Sequence, residues 1–93
     1  MSNNTQEKKK TFTDTTDTRS LEKLLILHND DHNSFDHVIS SLIAICEHTE
    51  HQAIQCAMIA HHNGKCDVYK GPVDIITPMK KKLQLRGLIV SIE

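Results

Sequence analysis

Between Leu21 and His28 the apolar residues crowd into one short run that closes at Asn29-Asp30-Asp31. That is the pattern of a strand entering a turn, and Asn and Asp suit the turn because their short side chains hydrogen-bond nearby backbone. The period then changes. Phe35, Val38, Ile39, Leu42, Ile43 and Cys46 recur at helical spacing, with Asn33 or Ser34 available as N-cap. Thr49 and Gln52 match a capping box, which opens a second helix. It stops at Asn63-Gly64, where the glycine can take the left-handed conformation of a helix end. One face of this helix carries Ala53, Ala57, Ala60 and His61, so another part of the chain can approach closely. Lys65 to Lys70 reads as a short strand broken by Gly71-Pro72. Ile75, Ile76, Met79 and Leu83 mark a third helix, which Pro78 either kinks or starts at N1 behind a Thr77 cap. Gly87 is its natural stop, and Leu88 to Ile92 is a closing strand. The order β-α-α-β-α-β, with a three-stranded sheet and helices on one face, predicts an α/β (α+β) two-layer sandwich.

Composition narrows this picture. The chain has 93 residues, 38% hydrophobic and 25% charged, and its net charge of −1 gives no basic surface for nucleic acid. The apolar runs Leu24–Leu27 and Leu88–Val90 fall far short of the roughly 20 residues that span a bilayer. MSNNTQEKKK lacks the apolar centre of a signal peptide, and three cysteines without a C-x-x-C fit a reduced, cytoplasmic setting. With no Trp, one Tyr and two Phe, the core must be aliphatic. Residues 1–20 contain Met1 and Phe12 as their only large apolar side chains, so they are expected to be a disordered tail ahead of one folding unit, 21–93.

Four groups of residues could carry chemistry. Asn29-Asp30-Asp31 gathers two carboxylates and an amide oxygen, suited to an ammonium or a metal, or simply to a solvated turn. Seven histidines raise the question of a metal site, but no H-E-x-x-H or finger spacing appears, so neither metal nor cofactor is expected. His61 shares a helical face with Ala57 and Ala60; a neutral imidazole there could accept from an ammonium beside an apolar hollow. Lys8–Lys10 and Lys80–Lys82 are short runs that need only solvent or a helix dipole. No Gly-rich phosphate loop, Ser/His/Asp order or nucleophilic Cys motif is present, so catalysis is not expected.

Taken together, Leu27-His28-Asn29-Asp30-Asp31 with Phe35 and Val38, then Ala60-His61-His62-Asn63-Gly64-Lys65, then Gly87-Leu88-Ile89-Val90-Ser91-Ile92-Glu93 resemble the ClpS adaptor family over about residues 21–93. The resemblance implies a non-catalytic adaptor on the sandwich fold shared with the ribosomal stalk protein's C-terminal domain. Such an adaptor binds proteins whose N-terminal residue is Leu, Phe, Tyr or Trp, an N-degron, and hands them to a Clp AAA+ unfoldase, ClpA- or ClpC-like, and its protease. By position, the resemblance implies that Asn29, Asp30 and His61 hold the substrate's α-amino group. Asp31 would support the turn, Asn33 would stand where the family has a Thr contacting the first peptide unit, and Phe35, Val38, Ala57, Ala60 and Leu88 would line the side-chain pocket.

The chain also departs from that family. Phe35 and Ala57 stand where methionines are frequent, which implies a reshaped pocket with more room near Ala57. The segment Pro72-Val73-Asp74-Ile75-Ile76-Thr77-Pro78 replaces an acidic stretch that helps dock the unfoldase. A polar tail of 20 residues reaches at most roughly 70 Å when extended, and the resemblance implies that it enters the unfoldase pore during delivery. The alternatives are a domain of the same fold that binds a partner helix without N-terminal recognition, and a small His-rich metal-binding protein.

Overall fold

The computed structural model describes residues 21–93; the expected tail, residues 1–20, lies outside them. Strand β1 (Glu22–His28) leads to helices α1 (Phe35–Cys46) and α2 (Glu50–Asn63), then β2 (Lys65–Pro72), α3 (Val73–Leu85) and β3 (Val90–Ile92). The sheet is antiparallel with β1 in the middle, β2 on one side and β3 on the other. The central strand has a neighbour on each side, and its apolar run fills that place: Leu25, Ile26 and Leu27 are all buried. Leu25 and Leu27 join Val90 and residues of all three helices in a single core, so the helices cover one face. Ile26 stands opposite Asp67 and Ser91 on the other face.

Local signals set the helix ends. Ser34, not Asn33, caps α1, its hydroxyl accepting from the His37 amide at 3.1 Å. The Thr49 hydroxyl accepts from the Gln52 amide at 3.1 Å while Gln52 Oε1 accepts from the Thr49 amide at 2.9 Å, the reciprocal pair that opens α2. Gly64 ends α2 at φ 94°, a conformation that favours glycine. Three alanines, Ala53, Ala57 and Ala60, are its buried residues, and they let α2 sit close to its neighbours.

Three boundaries differ from the sequence expectation. β2 continues through Gly71 and Pro72, paired with Lys23 and Glu22; it is an edge strand, where a proline is tolerated. α3 starts at Val73 and runs through Pro78, so Thr77 is not an N-cap; its hydroxyl instead donates to the Val73 carbonyl at 2.7 Å. The last strand begins at Val90 rather than Leu88. Here the Leu88 amide donates to Leu83 O and the Gly87 amide to Gln84 O, which closes α3 in a Schellman turn with Gly87 at φ 88°. Such turns bring the residue after the glycine onto the helix's last core position, and both Leu83 and Leu88 are buried.

The exposed edge of β2 is interrupted. An irregularity in the β1–β2 register falls between Leu25 and Ile26. Beside it, His48 Nε2 donates to the Val68 carbonyl at 2.6 Å, and the Cys56 thiol reaches the Asp67 carbonyl at 3.7 Å. Side chains and a kinked ladder blunt an edge that could otherwise pair with another strand.

Candidate functional site

The β1–α1 turn is assembled around one carboxylate. Asp30 Oδ1 accepts from the His32 amide at 2.8 Å and the Asn33 amide at 2.9 Å, and Asn33 Nδ2 lies 3.2 and 3.1 Å from its two oxygens. Burial pushes the Asp30 carboxyl upward, but the Asn33 and His32 hydrogen bonds, with the nearby His32 charge, outweigh it and hold the group below its ordinary value. Asn33 Nδ2 also donates to the Gly87 carbonyl at 2.9 Å, fastening the turn to the loop after α3. The side chain that gathers the turn is that of Asp30, which accepts from the two backbone amides of His32 and Asn33 that follow it. Asp31 is exposed.

A second bond brings α2 into place. The Asn29 amide donates to the Gly64 carbonyl at 2.8 Å, so the end of β1 and the end of α2 are held side by side. His61, in the last turn of α2, then lies near the Asn-Asp-Asp turn, and its ring meets Phe35 of α1 edge-on with centroids 5.5 Å apart.

Between these pieces lies a cavity of about 260 Å³. Asn29, Asp30, Asp31, Asn33, Phe35, Val38, Ala57, Ala60 and His61 all line it. Val38, Ala57 and Ala60 are buried and make an apolar floor, while Asn29, Asp31, Phe35 and His61 are exposed around the mouth. Leu88 is not among the lining residues. It follows the Schellman turn and is buried in the core cluster. Two lining residues escaped the sequence reading, Leu27 and His28. Their signal was position, at the end of β1 directly before Asn29. His28 is further held by a 2.7 Å hydrogen bond between Nε2 and Ser91 Oγ of β3.

Chemically, this is a set of oxygen and imidazole acceptors above a hollow lined by small and aliphatic side chains. Among the described residues, no three His, Cys, Asp or Glu side chains converge in a way that could hold a metal ion. No helix there is long and apolar enough to cross a membrane.

Comparison with known proteins follows the same lines. Residues 21–90 match the family model described as ATP-dependent Clp protease adaptor protein ClpS. Among solved structures, ClpS2 of Agrobacterium tumefaciens bound to L-phenylalaninamide is similar, with a TM-score of 0.74 and 25% sequence identity, over 81% of this chain and 98% of that one. No curated protein matches the chain. The motifs, the order of elements and the family match agree: the chain belongs to the ClpS family of ATP-dependent Clp protease adaptors.

Proposed function

We propose that this protein binds the free α-amino end of proteins that begin with a bulky apolar residue and passes them to a Clp AAA+ unfoldase. The observation that carries this reading is the pairing of an acceptor-rich mouth with an apolar floor in a single cavity of about 260 Å³. Ligand pockets commonly measure about 300–1,000 Å³, so a hollow of this size suits one residue rather than a longer ligand. The ligand of the similar ClpS2, L-phenylalaninamide, supports it: it presents an ammonium and a phenyl ring, and its amide stands where a peptide would continue.

In this reading the ammonium sits among the Asn29 amide oxygen, an aspartate and neutral His61. The aspartate is Asp30: its Oδ1 serves the turn, while its Oδ2 meets only Asn33 Nδ2 and keeps room to accept from an ammonium. Charge-assisted hydrogen bonds contribute about 1.5–3 kcal/mol each, and burying a large apolar side chain contributes about as much again. Neither half suffices alone, which rejects blocked termini and charged first residues. Asn33, which spends its amide hydrogens on Asp30 and Gly87, braces the site, and its Oδ1 is the atom left for the first peptide unit.

A peptide beginning with Phe should bind at least tenfold more tightly with a free than with an acetylated terminus in a fluorescence titration. Equal affinities would overturn the reading. Delivery is tested separately: deleting residues 2–17 should leave peptide affinity unchanged and slow degradation by the unfoldase and protease.

A further inference from the structure

The mouth of the pocket continues into an apolar surface that the first residue of a substrate leaves uncovered. On α1, Phe35, Ile39 and Ile43 recur every four residues along one flank. The opposite flank of the helix is occupied: His37 Nε2 donates to the Arg86 carbonyl at 2.8 Å, and Arg86 donates to Ser41 Oγ at 3.1 Å. On α2, Ile54, Met58 and His61 recur every three or four residues. The two helices pack against each other, and the 5.5 Å contact of Phe35 with His61 joins these two rows at the pocket end. Phe35, Ile43, Ile54 and Met58 are 48%, 39%, 36% and 45% exposed. Helical residues that lie three and four apart are surface neighbours, so each row is continuous along its helix, and the packing of α1 on α2 with the Phe35–His61 contact sets the two rows side by side as a ridge. Contiguous exposed apolar surface of this kind marks a place of contact.

We infer that this ridge is a second subsite for the same substrate, taking apolar side chains that closely follow the N-terminal residue; the inference rests on the reading of the pocket above. Continuity is the argument. Phe35 and His61 belong both to the pocket lining and to the start of the ridge, so a chain leaving over them meets Ile39, Met58, Ile43 and Ile54. Length agrees as well. Eight steps along the helix, from Phe35 to Ile43, rise about 12 Å, and an extended peptide covers that with about four residues. The protein's own residues 1–20 are poor occupants, since Met1 and Phe12 are their only large apolar side chains.

The test uses the full chain and two labelled peptides that share a free N-terminal Phe, one followed by Leu and Ile at positions 2–5, the other by Ser and Gly. The apolar peptide should bind roughly tenfold more tightly. In the double variant Ile43→Ser, Met58→Ser that advantage should vanish, while affinity for the Ser/Gly peptide stays within about twofold of the parent. Ile43→Val, Met58→Leu should restore it. Equal binding of both peptides to the parent chain, or an advantage that survives the double variant, overturns the subsite and leaves the pocket standing. If the Ser/Gly peptide binds no better free than acetylated, pocket and subsite fall together. A dimer in sedimentation that the double variant dissociates, with no peptide preference, gives the ridge to a second copy of the chain and also overturns the inference.

Discussion

The two walls of the pocket are built on different physics. On the α1 side, side-chain hydrogen bonds dominate: Asp30 gathers the turn, Asn33 ties it to Gly87, and His37 and Ser41 hold Arg86. On the α2 side the wall is Ala57 and Ala60, buried and featureless, with His61 leaning on Phe35. One wall fixes geometry through directional bonds, and the other sets volume through the smallness of its side chains. Under the proposed function, the first therefore decides whether an ammonium can be held at all, and the second decides which side chain may accompany it.

Breaking the directional wall should have the largest effect. Asp30→Ala removes the acceptor for the His32 and Asn33 amides and for Asn33 Nδ2. Affinity for a Phe-first peptide should fall by about 100-fold or more, with about 1–3 kcal/mol lost in urea unfolding. Wild-type affinity in that variant would mean the turn needs no carboxylate. Reshaping the volume wall is a gentler change. Ala57→Met fills the floor, and affinity for a Trp-first peptide should drop about tenfold relative to a Leu-first one. An unchanged ranking of Leu, Ile, Phe and Trp would show that Ala57 does not set pocket size.

Titration sharpens the same contrast. The folded value of Asp30 is depressed, so its stabilisation is complete above the ordinary 3.8 and fades as pH falls through the lower folded value. Asp30→Asn should flatten that acid limb in thermal unfolding measured from pH 5 to pH 2.5. The smallest effect concerns the apolar core. Burial pushes the Cys46 thiol from 9.0 up to about 11, so its contribution is whole below pH 9.0 and lost as pH rises through about 11. Cys46→Ala should shrink the loss of stability across that window. Cys56 and Cys66, whose thiols are also raised, keep part of it.

What the sequence made readable was local and periodic. Thr49 and Gln52 are three residues apart and satisfy each other's backbone partners, so their spacing alone carries the start of α2. The apolar run of β1 and the alanine face of α2 follow equally from the pattern along the chain. Choices between neighbours were harder. Asp30 and Asp31 are chemically identical, and only the path of the chain after the turn selects Asp30 as the acceptor. Asn33 and Ser34 could each cap α1; the distant carbonyl of Gly87 claims Asn33, which leaves the cap to Ser34. Leu88 was expected in the last strand because it opens an apolar run, yet its amide bonds the Leu83 carbonyl and the strand begins only at Val90. Pro78 signals a break in any sequence, but α3 runs through it, with Ile76 and Leu83 buried on either side.

The bond from Asn33 to Gly87 joins positions 54 apart along the chain. A polypeptide emerging from the ribosome presents its Asn-Asp-Asp turn long before that partner has been synthesised. Recognition of the proposed kind is thus a late property of the nascent molecule: a chain cut short ahead of Gly87 would carry Asn29, Asp30 and His61 and still lack the clasp that fastens the turn.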